Sequence, residues 1–280
     1  MAASLALLAS LLWGTSDFAG GWLSRRRPVL AVVLPSQLIA VTGLLIVVTA
    51  AGLFQVAPAA WAWGAAAGVV GSIALACFYR GLAAGVMGVV APIAATGVAV
   101  PVAVGLGQGE HPHVAQLVGI GVAVVGVVLA ARPADAANPV PGTGRSLLLA
   151  LVAAVGFGLV LVFIAQGSKQ SAAMTLVGQR VTNAVLLGAV SLVIRPAGGL
   201  IRNRRELPLI ALVGTFDLSA NGLYAVASQD GLVSVVAVLS SLYPAVTALL
   251  AFRLLHERLG RLQAAGVGTA LAGVLLLAGG

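Results

Sequence analysis

The chain has 280 residues, of which 60% are hydrophobic and 8% are charged, and its net charge is +8. A soluble domain carries about 25% charged residues, so the composition excludes a soluble globular protein and predicts an integral membrane protein surrounded by lipid. Because the basic residues lie in short loops between apolar runs, the positive charge is typical of membrane topology and does not indicate a nucleic-acid partner.

The apolar runs predict an all-α fold of ten transmembrane helices, because a helix needs about 20 apolar residues to cross the hydrocarbon core. The predicted spans are 3–23, 29–53, 60–81, 84–106, 114–131, 146–166, 172–194, 207–228, 231–254 and 261–279. Four prolines lie well inside these spans, where each removes a helical hydrogen bond and favours either a plain kink or a gating hinge. These prolines are Pro35, Pro92, Pro101 and Pro244.

The sequence contains an internal repeat, since residues 110–131 match residues 257–278 without a gap. In each copy a turn with a glutamate, Glu110 or Glu257, is followed by an apolar helix with small residues at helical spacing. Such spacing predicts close helix packing in lipid. The small residues are Gly119, Ala123 and Gly126 in the first copy and Gly266, Ala270 and Gly273 in the second.

Weaker matches continue upstream, and Gln37 corresponds to Gln179. The two glutamines either bracket a central site or hydrogen-bond neighbouring helices. We therefore divide the chain into a five-helix repeat at 1–131, a connecting loop at 132–145 and a second five-helix repeat at 146–280. Because each repeat has an odd number of spans, the second enters the membrane from the opposite side. This predicts an inverted repeat, with which many secondary transporters place a site at the membrane midplane.

The basic residues predict an orientation. Thirteen of the fifteen lie in or beside connections that follow odd-numbered spans, whereas the opposite face has only Lys169, and Arg180 lies inside a span. The positive-inside rule then places the odd-numbered connections in the cytoplasm and both termini outside.

Polar residues within the spans are the candidates for a substrate site. A charge at the bilayer centre costs at least about 2.5–3.5 kcal/mol, and it usually faces a water-filled path. The residues predicted to line a cavity are Trp13, Asp17, Gln37, Arg80, Gln179, Arg180, Asp217, Asn221 and Tyr224. The last three follow a spacing of i, i+4 and i+7, so they share one face of a helix.

Depth in the membrane predicts two charge pairs. Arg180 and Asp217 lie at comparable depth on antiparallel helices, where they form either a structural ion pair or the polar wall of a cavity. Arg80 lies at a depth where it either pairs with Asp17 or extends to the membrane interface.

The charged candidates also predict a mechanism. Asp17 and Asp217 are candidates for a coupling proton, because a low-dielectric surrounding disfavours a charged carboxylate. Arg180 and Arg80 are candidates for binding an anionic group of a substrate, or for keeping these carboxylates charged. No Walker loop, Gly-x-Ser-x-Gly or His-Glu-x-x-His motif occurs, and the three histidines lack metal-ligand spacing. The sequence therefore predicts neither an enzyme nor a cofactor or metal site.

The chain resembles the EamA family of the drug/metabolite transporter superfamily in three features. These are ten spans in two halves, Leu-Leu-Trp-Gly at 11–14, and a glutamate turn before a Gly-rich helix in each half. The pattern of residues 239–244, Leu-Ser-Ser-Leu-Tyr-Pro, ahead of 256–259, His-Glu-Arg-Leu, is also similar to that family. The first half departs from the pattern, since Gly97 stands where the second half has Pro244, and Glu-His-Pro replaces Glu-Arg-Leu.

With the repeat, this resemblance implies a secondary or facilitative transporter that works by alternating access. It implies export of an amino-acid-like or related polar or amphipathic metabolite, and we expect the bacterial inner membrane as the location. The expected partners are a small-molecule substrate, the lipid bilayer, coupling protons and a second copy of the chain. The family also implies cytoplasmic termini, the reverse of the charge distribution. The alternative is a membrane scaffold or sensor subunit of the same fold that transports nothing.

Overall fold

The computed structural model describes residues 1–85, 87–109, 114–130, 143–194, 204–255 and 260–279. Within these ranges all regular structure is helical, and six stretches are long and apolar enough to cross a membrane. The prediction of an all-α membrane protein is confirmed. The number of ten spans and the division into two inverted repeats stay predictions.

The described ranges contain eleven α-helices and two 3₁₀ turns. The helices are α1 (Ala2–Ser24), α2 (Val29–Ala50), α3 (Pro58–Ala84), α4 (Met87–Ala95), α5 (Ala99–Gly107), α6 (Val114–Ala130), α7 (Thr143–Ile194), α8 (Leu207–Asp230), α9 (Val233–Ser240), α10 (Tyr243–Leu255) and α11 (Arg261–Gly279). The 3₁₀ turns, Thr96–Val98 and Arg204–Glu206, directly precede α5 and α8.

The longest helix, α7, consists of two helical arms joined by a turn. Ser171 has an extended backbone (φ −162°, ψ 110°), and its hydroxyl accepts a hydrogen bond from the backbone N–H of Met174 at 3.2 Å, which caps the second arm. Gly167 lies against Thr175, although eight residues of straight helix would separate them by about 12 Å. The chain therefore turns back at Ser171, at the predicted boundary between the sixth and seventh spans.

The fourth and ninth predicted spans are each interrupted near the middle. The 3₁₀ turn Thr96–Val98 separates α4 from α5, and α9 ends at Ser240 before α10 begins. Pro101 has no N–H for the carbonyl of Gly97, four residues earlier. Pro244 likewise has none for the carbonyl of Ser240. Two of the four prolines at which the sequence predicts kinks thus account for both interruptions, whereas Pro35 lies inside the continuous helix α2.

Helices of the two predicted repeats pack mainly against each other. Helix α1 lies along α8, α3 along α7, and α6 along α11. Glycines allow the backbones to approach closely. A Cβ atom at Gly64 would collide with the carbonyl of Thr175, and one at Gly214 with the carbonyl of Ser36. Large apolar side chains such as Ile46, which is 64% exposed, lie on the outside of the bundle, where lipid surrounds a membrane protein.

The repeated pattern of small residues lies where α6 and α11 pack together. Its four glycines, Gly119, Gly126, Gly266 and Gly273, are buried. This agrees with the predicted close packing. Glu110 and Glu257, which precede these helices, lie outside the described residues, as does most of the loop 132–145.

Candidate functional site: a polar cavity in the middle of the bundle

A cavity of about 710 Å³, which includes space open to the outside, lies between α1, α2, α3, α4, α7, α8 and α10. Both predicted repeats therefore contribute to its wall. Seven of the nine candidate residues line it, namely Trp13, Asp17, Gln37, Gln179, Arg180, Asp217 and Asn221. Apolar side chains such as Leu75 and Phe157 line another part of the wall, so the cavity is amphipathic.

Arg180 is the most deeply buried of the charged residues in this wall, with 1% of its side chain exposed. Its Nη1 donates to Oδ2 of Asp217 and to the amide Oε1 of Gln37, both at 2.6 Å. Its Nη2 donates to the backbone carbonyl of Asp217 at 3.4 Å. The predicted pair of Arg180 and Asp217 is present and also forms part of the cavity wall, so its structural and its wall-forming interpretation both apply.

Asp217 lies ten residues into α8, about 15 Å from the start of that helix, and accepts hydrogen bonds from four helices. Its Oδ1 accepts from Nε1 of Trp13 at 3.2 Å and from Nδ2 of Asn221 at 3.0 Å. Its Oδ2 accepts from Arg180 and, at 3.4 Å, from Nε2 of Gln37. These contacts fix the orientation of the carboxylate and connect α1, α2, α7 and α8.

The hydrogen-bond network continues from Gln37 to α3. Nδ2 of Asn183 donates to Oε1 of Gln37 at 3.2 Å, and Oδ1 of Asn183 accepts from the hydroxyl of Ser72 at 2.9 Å. All three side chains are buried. A chain of polar contacts therefore crosses the apolar bundle from α1 to α3 and joins helices of both predicted repeats.

Asp17 is the second carboxylate of the cavity, and its surroundings differ. It is 8% exposed, and no described residue forms a hydrogen bond or an ion pair with it. The hydroxyl groups of Tyr79 and Tyr243 lie close enough to interact electrostatically with its negative charge. A buried carboxylate without a partner is costly, so Asp17 is a group that a proton or a positively charged molecule would stabilise.

Arg80 does not pair with Asp17 and does not line the cavity, because it is exposed on the surface of α3. The preceding residue, Tyr79, is 1% exposed and occupies the position that faces α1, where it lies against Gly20. Successive residues of a helix point about 100° apart. Arg80 therefore points away from the cavity, in agreement with the alternative that it extends to the interface.

Tyr224 was predicted to line the cavity, but it lies behind the cavity wall. Its side chain is fully buried, its hydroxyl donates to the carbonyl of Leu161 at 3.2 Å, and its ring centroid is 6.1 Å from that of Trp13. Tyr224 shares the face of Asp217 and Asn221, but it lies almost two turns beyond Asp217, where Trp13 packs against it.

Three buried polar atoms of the wall have no hydrogen-bond partner among the described residues. They are Oε1 of Gln179, Nε of Arg180 and the hydroxyl oxygen of Tyr243. An unsatisfied buried polar atom costs about 1–3 kcal/mol. These atoms therefore indicate where a bound molecule would donate or accept a hydrogen bond.

The other wall residues, among them the polar Asn183 and Tyr243, were not among the predicted site residues. Asn183 follows Arg180 by three residues, a spacing that places both on one helix face. Tyr243 begins α10 after the interruption of the ninth predicted span. In the sequence, only the adjacent Pro244 indicated that the helix is interrupted here.

The wall has the means to bind a small molecule, with one open carboxylate, several open polar atoms and an apolar surface. Within the described ranges, no group of three or more His, Cys, Asp or Glu side chains could hold a metal ion. The side chains that line the cavity can recognise a small molecule through charge, hydrogen bonds and apolar contact.

Comparison with solved structures supports the fold. Twenty-one chains match this one. One of them, a crystal structure of another protein, has 19% sequence identity and a TM-score of 0.78, and the match covers 99% of this chain and 98% of the other. At this identity the likeness concerns the fold alone.

No curated protein matches the sequence. The model of the EamA-like transporter family matches residues 1–132 and again residues 144–279, which together are nearly the whole chain. The resemblance stated from the sequence is thereby confirmed, together with the superfamily that contains the family. This chain belongs to the EamA-like transporter family, and it is a multi-pass membrane protein of a family of small-molecule transporters.

Proposed function

We propose that the protein is a secondary transporter that moves a small polar or amphipathic metabolite out of the cell through the central cavity, across a bacterial inner membrane. The observation that carries this proposal is the polar network around Arg180 and Asp217 at mid-bundle. Charged groups at this depth are costly, and in membrane proteins they usually line the path of a substrate or ion.

The interrupted helices support the same function. Gly97 and Val98 lie in the interruption between α4 and α5, Ser241 and Tyr243 lie at the one between α9 and α10, and all four line the cavity. Secondary transporters with inverted repeats often build their substrate sites from such discontinuous helices. We therefore propose that the two repeats are inverted and enclose the site between them.

Alternating access would need contacts that close each end of the bundle in turn. At one end, Nε and Nη2 of Arg27 donate to Oε2 of Glu206, at 3.0 and 2.7 Å. At the other, Nε2 of Gln55 donates to the hydroxyl of Ser171 at 2.6 Å. Each contact joins the two predicted repeats, and α2 separates the two ends. We propose that opening one end breaks its contact while the other persists.

The coupling proton is assigned to Asp17. Asp217, the other candidate, accepts hydrogen bonds from four side chains, so a proton there would displace existing donors. Asp17 has no such partners among the described residues. Protonation of Asp17 therefore removes a buried charge without breaking the network.

Flux in reconstituted vesicles tests the route through the cavity. A ligand is first found by a thermal-shift screen of amino acids, nucleobases and sugars, since a ligand of the native state raises its stability. Leu75→Trp fills the cavity and is expected to reduce flux of that ligand at least about tenfold, a change of about 1.4 kcal/mol. Ile73→Trp, on the lipid-facing side of the same helix (57% exposed), is the matched control and leaves flux unchanged.

Equal flux in both tryptophan variants would refute transport through this cavity. A ligand that binds tightly and is never moved by the wild-type protein would instead favour the scaffold or sensor function. Failure of an imposed pH gradient to drive accumulation would favour uncoupled facilitation. Alkaline-phosphatase and cytoplasmic-reporter fusions at Gly280 decide whether the termini face outward, as the basic residues predict, or inward, as the family implies.

A further inference from the structure

The charges of the cavity wall do not balance. Three charged residues line the cavity among the described residues, namely Asp17, Arg180 and Asp217. Arg180 and Asp217 form an ion pair at 2.6 Å, so their charges compensate each other. The charge of Asp17 has no counterpart in the wall, and the ionised cavity therefore has a net charge of −1.

The open hydrogen-bonding atoms have the same bias toward a positively charged molecule. Besides the carboxylate of Asp17, the unpartnered Oε1 of Gln179 and the hydroxyl oxygen of Tyr243 can accept hydrogen bonds. A primary ammonium group brings three N–H donors. These acceptors and the uncompensated carboxylate suit such a group.

An anionic molecule fits the cavity poorly. Nη1 and Nη2 of Arg180 already donate to Gln37 and Asp217, and only its Nε lacks a partner. Three of the five guanidinium N–H groups are thus engaged. An anion would find the remaining two on a cation whose charge Asp217 already compensates, and it would add a second uncompensated negative charge near Asp17. Of the two roles predicted for Arg180, these contacts favour the one in which it keeps a carboxylate charged.

The remainder of the wall suits the apolar part of an organic cation. Phe157, Leu75 and Leu161 supply apolar surface, and the rings of Trp13 and Tyr243 also line the cavity. A cation over an aromatic face is attracted by the negative potential of the ring. A small inorganic cation would leave this apolar surface without contacts.

We propose that the cavity selects amphipathic organic monocations, with the ammonium group at Asp17 and the apolar part against Phe157 and Leu75. This inference rests on the proposed function, because it names the substrate class of the same cavity. Gln179 and Tyr243 supply the further acceptors. The ion pair of Arg180 and Asp217 acts as a neutral, fixed part of the wall.

The test uses three probes with one phenyl ring and a short chain that differ in charge. They are 2-phenylethylamine, which is a cation at pH 7, the neutral 2-phenylethanol, and the anion 3-phenylpropionate. Equilibrium binding to the purified full-length protein in detergent is measured by calorimetry. We expect the amine to bind at least about tenfold more tightly than the alcohol, because an ammonium group bonded to a carboxylate contributes more than a neutral pair, and the anion to bind most weakly.

The Asp17→Asn variant removes the charge and keeps the shape of the side chain. It is expected to reduce the preference for the amine over the alcohol to about one, while binding of the alcohol persists. Asp230→Asn is the control, because Asp230 is exposed at the end of α8, and the preference is expected to remain at least about tenfold. Since the preference among probes is measured on the wild-type protein as well, the test does not depend on folding of the variant.

Tighter binding of the anion, no binding of any probe, or an amine preference that persists in Asp17→Asn would each overturn this assignment. The result is separable from that of the transport test. Flux of a neutral or anionic ligand through the cavity would support transport and refute the cation class. Asp17-dependent amine binding without any flux would support the cation site and refute transport.

Discussion

The two carboxylates that line the central cavity lie on neighbouring helices, and their surroundings are opposite. Asp217 accepts hydrogen bonds from Trp13, Gln37, Arg180 and Asn221. Asp17 has no hydrogen-bond or ion-pair partner among the described residues, although it is buried, with only 8% of its surface exposed. Within one cavity, the carboxylate of Asp217 is thus fixed by side chains of the fold, and the carboxylate of Asp17 is available to a bound molecule. Hydrogen-bond partners, more than burial, therefore distinguish the two carboxylates.

Among the substitutions that test this contrast, replacement of Arg180 should reduce stability the most. Arg180→Gln leaves Asp217, whose side chain is 19% exposed, without its counter-charge. This is expected to cost about 3 kcal/mol of stability, the low end of the range for a buried pair, and to lower the unfolding temperature in detergent. Adding Asp217→Asn should recover part of this loss, because the uncompensated charge is then removed. Strictly additive losses in this double-mutant cycle would show that the pair is not energetically coupled.

The same substitution at the two carboxylates should have effects of opposite sign. Asp17→Asn is expected to raise stability by about 1–2 kcal/mol at neutral pH, because it removes an unpartnered buried carboxylate. Asp217→Asn is expected to lower it, because four donors lose a charged acceptor. Thermal unfolding of the two variants side by side measures the difference, and a decrease in both would contradict the contrast.

The glutamines at corresponding repeat positions provide a smaller contrast of the same kind. Gln37→Leu breaks contacts with Arg180, Asn183 and Asp217 and should cost about 1 kcal/mol, within the range measured for interhelical hydrogen bonds in membranes. Gln179→Leu should cost much less, because Oε1 of Gln179 has no partner among the described residues. Equal losses in thermal unfolding would mean that the network does not stabilise the bundle.

The smallest effect is expected at Trp13. Trp13→Phe keeps an aromatic ring beside Tyr224 and removes only the N–H that donates to Asp217 at 3.2 Å. We expect a loss of about 0.5 kcal/mol, the typical size of one such bond in lipid. A loss several times larger would mean that Trp13 itself, and not the pairing with Arg180, holds Asp217.

The sequence allowed the depth of the polar residues in the membrane to be predicted, and for one pair the depth was enough to predict a contact. Arg180 and Asp217 were placed together because both are near mid-membrane, and they are in contact. The same reasoning did not distinguish the two alternatives for Arg80. Counting residues gives position along a helix axis, but rotation about that axis depends on packing, here of Tyr79 against Gly20.

The fold shows the same division between local and tertiary information. Pro101 and Pro244 indicated the interruptions at Thr96–Val98 and after Ser240, since a missing N–H is a local property. The position of Tyr243 at the cavity was not predictable in this way. It depends on how α10 packs against α1 after the interruption, where a Cβ at Gly14 would meet the carbonyl of Tyr243.

The ion pair of Arg27 and Glu206 makes one end of the bundle sensitive to the salt concentration of the solution next to it. Its two side chains are 15% and 29% exposed, so dissolved ions reach them and screen their attraction. The contact of Gln55 with Ser171 at the other end involves no charge and is insensitive to such screening. In the proposed alternating-access cycle, a rise in ionic strength would therefore weaken the contact that closes one end of the bundle and leave the other unchanged. The salt concentration on that side of the membrane would then shift the balance between the two open states.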